Sequence, residues 1–368
     1  MLKRIEKGSK RALARFISVF LGKREITVDD FARLSIRRLL IIRQHNQMGD
    51  MLAAVPAFRG LRARFPEARI TLVAAPINAP VMLRNPCVDE VLVYGKRKNL
   101  RNLFGLIRFV RDLRSRRFDA AIVLNTISFS VTSMLLSVAS GARVRLGSTS
   151  LPFGHDLSSR FYHLELPLPA PEALGRMHES LHNIYPLAAI GVHVEDLRSV
   201  LVPLADEERS CERFVAASFG KGSRFIVIHP GAGKRLNRWP PDRFADAASS
   251  LHERLGCGVV LVGGPMDGEA LDAFLEVSRV HPTVLSCSSV GFLGALMKRS
   301  ILTLCNDTGI MHIAGAVDSR CVAVFGPTDP ARWKPVNERV IAVQAGDGTV
   351  ESVRVETVVD AAMRLLGS

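Results

Sequence analysis

With 368 residues, 48% of them hydrophobic, the chain is long enough for two domains with cores of their own, and no apolar run approaches the roughly 20 residues that cross a bilayer. The formal net charge of +14 is uneven: residues 1–38 hold eleven Lys/Arg against four Asp/Glu. Three Tyr and two Trp leave few stacking platforms and no basic stretch interleaves with aromatics, which argues against nucleic acid as a partner.

Leu13, Phe16, Ile17, Phe20 and Leu21 recur at helical spacing among Lys10, Arg11, Arg15, Lys23 and Arg24. That pattern predicts a basic amphipathic helix suited to an anionic membrane surface, although a solvated helix packed on the first domain has the same spacing. Arg15 interrupts the apolar stretch and no small-residue cleavage site follows Leu21, so a signal peptide is disfavoured.

From Arg38 onward strands and helices alternate. Arg38–Arg43 reads as a buried strand and leads through Met48-Gly49-Asp50 into a helix over about 51–65. Strands at 69–74, 90–93 and 119–124 follow, separated by helices near 80–85 and over 100–116 and followed by one over 132–139. Residues 148–171, rich in Pro and Ser, read as irregular, and a helix over 177–190 closes this half.

The second half repeats the alternation. A helix over 206–219 precedes the strand Phe225–His229, then a glycine-rich basic loop over 230–241 and a helix over 244–255. Strand 258–262, Gly263-Gly264-Pro265, helix 269–277, strand 283–285 and helix 292–298 continue it. Residues 301–305 form a core strand, Asn306 to Gly309 its turn, and Met311 begins a helix. Strand 321–325 and a final helix over 353–366 complete the set. Such alternation argues for parallel sheets covered on both faces. The expected organisation is an N-terminal basic extension over 1–36, Rossmann-like domains over 37–195 and 205–350, and a C-terminal helix over 351–368.

The six cysteines are scattered without a C-x-x-C pair, mostly in apolar segments, and read as reduced core residues of a cytoplasmic protein; no metal site is expected. Neither half carries G-x-G-x-x-G after its first strand, and G-x-x-x-x-G-K-[ST] is absent, which disfavours a nicotinamide dehydrogenase and a P-loop enzyme. In the first half the opening strand instead delivers Asp50 to the head of a helix, where it fits a base or a simple N-cap. In the second the loop 230–241 suits an anion. Asp307, Thr308 and Gly309 lie where a buried strand turns into a helix, a usual place for a phosphorylated ligand; an N-cap and a turn glycine are the plainer alternative.

Arg43 with Met48-Gly49-Asp50, His229-Pro230-Gly231-Ala232-Gly233, Arg238-Trp239-Pro240, Gly263-Gly264-Pro265 and Asn306-Asp307-Thr308-Gly309 with His312 and Ala314 together resemble glycosyltransferase family 9, whose best-known members are ADP-heptose:lipopolysaccharide heptosyltransferases. The resemblance runs from about residue 37 to the C terminus. It implies an α/β protein of GT-B fold, with an acceptor-side and a donor-side Rossmann-like domain facing a central cleft, and an inverting transfer without a metal. It also implies a nucleotide diphosphate sugar donor, plausibly ADP-linked, no further cofactor, and a lipopolysaccharide core or related glycan acceptor at the cytoplasmic face of the inner membrane.

By the same resemblance Asp50 is the general base, and Asp307 accepts hydrogen bonds from the donor's sugar with Thr308 and Gly309 near the diphosphate. Gly231 belongs to the phosphate loop, and Lys234, Arg235 and Arg238 supply positive charge to the leaving group. Glu269 fits a ribose hydroxyl pair, and His312 fits ligand contact or packing equally. Arg43 and Asn46 lie on the loop turned toward the acceptor; Arg43 fits an acidic acceptor or a structural ion pair. Two departures stand out: Asn237 occupies a position where family members often carry Lys, and the loop from Arg43 to Asp50 is one residue longer than in the heptosyltransferases. A non-catalytic nucleotide-sugar-binding protein and a sugar-nucleotide epimerase of the same fold are the alternatives.

Overall fold

The computed structural model describes residues 25–44, 47–95, 103–126, 129–154, 156–286 and 288–367. The amphipathic segment expected over residues 1–24, Asn46 and Cys287 lie outside the described residues. The chain divides into two compact units, one of residues 1–47 and 54–197, the other of residues 48–53 and 198–368.

The first unit is built on six parallel strands, β1 (Arg38–Arg43), β2 (Arg69–Ala74), β3 (Glu90–Val93), β4 (Ala120–Val123), β5 (Val144–Ser148) and β6 (Leu164–Leu166), in the order β3-β2-β1-β4-β5-β6. Leu39 to Ile42 of β1 have no accessible surface, which is why this central strand is a continuous apolar run rather than an alternating one. On one face the helices Leu103–Ser115 and Val131–Ala139 close a core with Leu40, Ile42, Leu113, Phe118 and Met134.

The second unit carries β7 (Phe225–His229), β8 (Gly258–Gly263), β9 (Thr283–Ser286), β10 (Leu302–Asn306), β11 (Cys321–Phe325) and β12 (Val340–Gln344), all parallel, in the order β12-β11-β10-β7-β8-β9. Counted from each unit's first strand, this is the same order as in the first unit, the doubly wound arrangement in which the strand order reverses between the first and fourth strands. The final helix, Val355–Gly367, turns Val358, Val359, Ala362 and Leu365 into a core shared with Trp239, Phe244 and Phe274.

Three strands go beyond the sequence reading. β5 carries Arg145 and Gly147, and β6 has three residues, so neither presents the uninterrupted apolar run that marked β1; both lie where the chain was read as leading into, or being, irregular structure. β12 is a half-buried edge strand between polar loops. The grouping of residues also departs from the sequence division. The helix Met48–Ala53, read as part of the 37–195 domain, packs with the second unit, where Ser199 Oγ donates to the Leu52 carbonyl at 2.6 Å. Five of the cysteines are unpaired and buried. Among the described residues no helix is long and apolar enough to cross a membrane.

Candidate active site

In a doubly wound sheet the loops beyond the carboxyl ends of the first and fourth strands part from one another and leave room for a ligand. In the second unit those strands are β7 and β10. β10 ends in Asn306, whose buried side chain makes three hydrogen bonds. Its Nδ2 donates to the carbonyls of Pro230 (2.9 Å) and Gly231 (3.1 Å), and its Oδ1 accepts from the Trp239 amide (2.9 Å). One side chain thus pins both ends of the basic loop that follows β7. Trp239 anchors the return: it is wholly buried, donates Nε1 to the Val353 carbonyl at 3.0 Å and meets Phe244 edge-on. Sequence reading treated Asn306 only as a turn residue; a buried Asn ending an apolar strand was the available signal.

His229, the last residue of β7, places Nε2 3.2 Å from Asp267 Oδ2, and the same oxygen accepts from the Gly264 amide at 2.8 Å. The hydrogen bond to His229 leads the effects that hold the Asp267 carboxyl below its ordinary range, against the opposing effect of burial. A Cβ on Gly231 would lie 2.1 Å from Asp267 Oδ1, so only glycine lets the loop pass this carboxylate. Asp267 was not among the residues singled out from the sequence. Glu269, which was, has a side chain 88% exposed and pairs at 3.1 Å with Arg238 Nη1. Arg238 in turn donates Nη2 to the Ala232 carbonyl at 3.3 Å, bracing the loop from within.

Lys234 and Arg235 are exposed at the head of the turn Arg235–Asn237. Asn237 is buried behind them and donates Nδ2 to Asp307 Oδ2 and to Thr328 Oγ1, each at 3.1 Å. Burial pushes the Asp307 carboxyl upward, opposed by the Thr328 hydroxyl and by the charge of Lys234. Asp307, Thr308 and Gly309 are partly exposed, and Thr308 is the N-cap of the helix Gly309–Ala316. The first-turn amides of that helix, with the partial positive charge of its axis, open at this point.

The helix Met48–Ala53 lies against the helix Gly309–Ala316. A Cβ on Gly49 would meet the His312 ring at 2.6 Å, and the Cβ built on Gly309 lies 3.6 Å from that of Met48. The His312 ring thus packs against Gly49. The same contact brings Asp50, buried to 6% exposure, alongside the helix that begins at Gly309. Arg43 has no accessible surface and donates Nη1 to the Leu124 carbonyl at 3.0 Å, tying β1 to the end of β4. So placed, its guanidinium ties the ends of the two strands together. Asn46, the other acceptor-side candidate, is outside the described residues.

Three buried polar atoms on these loops make no hydrogen bond within the protein: His229 Nδ1, Arg238 Nε and Thr308 Oγ1. Buried polar atoms are rarely left so, and their gathering around a basic loop and a helix N-terminus is the chemistry of an anion and hydroxyl site. Among the described residues no group of three or more His, Cys, Asp or Glu is placed to hold a metal ion.

The profile of glycosyltransferase family 9 (heptosyltransferase) matches residues 106–361, which takes in every donor-side residue above and leaves Asp50 outside. Lipopolysaccharide heptosyltransferase 3 of Escherichia coli is 27% identical over 309 residues, covering 81% of this chain and 86% of that protein. Among solved structures, a glycosyl transferase family 9 protein from Veillonella parvula superposes with a TM-score of 0.79 at 24% identity, over 90% of this chain and 97% of that one. The E. coli ADP-heptose lps heptosyltransferase II gives 0.72 at 22% identity, over 90% and 98%. The two Rossmann-like sheets are those of the GT-B fold.

Proposed function

This chain belongs to glycosyltransferase family 9, and we propose on that premise that it transfers a heptose from ADP-heptose to a lipopolysaccharide core, with inversion at the anomeric carbon and without a metal ion. The relatives are named as lipopolysaccharide heptosyltransferases, one of them with ADP-heptose, and they cover most of the chain. The observation that carries the donor site is the trio of buried, internally unpartnered atoms His229 Nδ1, Arg238 Nε and Thr308 Oγ1, set around the glycine-only passage at Gly231.

In this reading the diphosphate rests on the amides opening the helix Gly309–Ala316, within reach of Lys234 and Arg235. Asp307 accepts hydrogen bonds from the heptose. The acceptor hydroxyl attacks the anomeric carbon from the face opposite the diphosphate and loses its proton to Asp50. The bond from that carbon to the phosphate oxygen breaks with its electron pair, and ADP departs. A carboxylate is a weak base toward an alcohol, so the proton moves late, once bond formation has made the hydroxyl acidic. The charge that builds on the leaving phosphate is met by the two exposed cations and the helix N-terminus.

The test is transfer itself: wild-type protein with ADP-heptose and a heptose-deficient lipopolysaccharide core, read by mass spectrometry as a gain of one heptose on the acceptor. Binding of ADP-heptose without product on any core acceptor would remove the transferase reading. A product made instead from a GDP-, UDP- or dTDP-sugar would keep the chemistry and reassign the donor. Residues 1–24 would hold the enzyme to the anionic leaflet bearing its acceptor; deleting them should weaken binding to vesicles containing anionic lipid and leave transfer to a soluble acceptor unchanged.

A further inference from the structure

We propose that Asn237 is a positioning residue that aims the Asp307 carboxylate at the sugar of the donor and so sets which sugar is accepted, a proposal that rests on the transferase reading above. Asn237 ends the turn Arg235–Asn237, and while Leu236 beside it is 71% exposed, Asn237 is itself 7% exposed. An amide nitrogen has two hydrogens to give. Here both are placed, one toward Asp307 Oδ2 and one toward Thr328 Oγ1, each at 3.1 Å. One amide thus joins the Asp307 carboxylate to the Thr328 hydroxyl.

The link is supported on the Thr328 side. Gln344, the last residue of β12, donates Nε2 to the carbonyls of Gly326 (2.5 Å) and Thr328 (3.1 Å), fixing the turn that carries Thr328. Asp307 is thus oriented through a chain of neutral donors running from the sheet edge, β12 to Gln344 to Thr328 and Asn237. A neutral donor orients a carboxylate while leaving its charge and its remaining lone pairs for the ligand, whereas a cation at Asn237 would neutralise it. A buried acceptor held in one orientation discriminates between sugars by hydroxyl placement, since a sugar that presents no hydroxyl to it leaves the carboxylate desolvated and unpaired.

Calorimetric titration of wild type, Asn237→Ala, Asp307→Ala and the double variant with ADP and with ADP-heptose tests this. Asn237→Ala should bind ADP as wild type does and ADP-heptose about tenfold more weakly. Asp307→Ala should show the same split, and the double variant should be no worse than Asp307→Ala alone, because Asn237 acts through Asp307. Asn237→Asp keeps the shape, removes both donors and adds a like charge, and should bind ADP-heptose more weakly than Asn237→Ala. Equal weakening of ADP and ADP-heptose, or losses that add in the double variant, would overturn the proposal by giving Asn237 a merely structural role. If Asn237→Ala does not fold, Asn237→Ser, which retains one donor, replaces it in the cycle with the same expected split. A wild type that binds neither ADP-heptose nor any other nucleotide sugar would overturn the transferase reading first, before any variant is compared.

Discussion

The two sheets share one strand order, yet the side chain that bridges each reversal point does a different job. In the first unit an Arg43 side chain with no accessible surface bonds the Leu124 carbonyl across the ends of β1 and β4, and beside it Gln44 Nε2 and both polar side-chain atoms of Asn125 are buried without a hydrogen bond in the protein. In the second the gap between β7 and β10 is framed by Asn306, whose side chain makes three hydrogen bonds to the backbone of the loop, while His229 Nδ1, Arg238 Nε and Thr308 Oγ1 stay buried without a partner in the protein. Topology offers a crevice in both places. What differs is the use of the central side chain: Arg43 ties one strand end to the other, and Asn306 holds the two ends of a loop.

That contrast can be broken most severely at Asp50, the proposed base on the segment after β1. Asp50→Ala is expected to lower kcat by about 10²- to 10⁴-fold, while calorimetry shows ADP-heptose affinity little changed. Turnover close to wild type would return Asp50 to the role of a helix-start residue.

Next in size is Gly231→Ala, whose Cβ would sit 2.1 Å from a carboxylate oxygen of Asp267. A loss of about 1–3 kcal/mol in urea unfolding is expected, with donor binding abolished. Gly233→Ala, two residues on, meets nothing within 4 Å and should change neither. Equal behaviour of the two variants would mean that the loop does not owe its path to the Asp267 contact.

A smaller effect follows from Asp267 itself. Its folded-state pKa lies below the ordinary value of 3.8, led by the His229 hydrogen bond, so its stabilising contribution is complete above that value and is lost as the pH falls through the lower folded one. Unfolding curves of wild type and Asp267→Asn should therefore differ by a constant amount at neutral pH and converge in acid. Curves that stay parallel down to the acid limit would show that the charge of Asp267 contributes nothing.

The least consequence is expected at Glu269. With its side chain 88% exposed, its pair with Arg238 is a surface ion pair, and Glu269→Gln should cost less than about 1 kcal/mol in stability. A tenfold fall in ADP affinity would instead restore the ribose contact that the sequence suggested.

What the sequence by itself determined was the parallel α/β class, because runs such as Leu39–Ile42 and Phe225–Ile228 are apolar at successive positions and that pattern suits strands covered on both faces. It also located the loops that end β7 and β10, since Gly, Pro, Asn and clustered basic residues mark chain that leaves a sheet. Only the tertiary structure decided which of the marked side chains are buried and what they touch. Arg43 and His312 carry the same chemistry in the sequence as residues of a site, but one is sealed inside a sheet and the other lies under Gly49. Asp267 and Gln344 looked ordinary, yet they hold the loops around Gly231 and Thr328. The physical reason is that a hydrogen bond between residues 38 or 70 positions apart depends on how strands are ordered and in what register, and no local run of side chains encodes that.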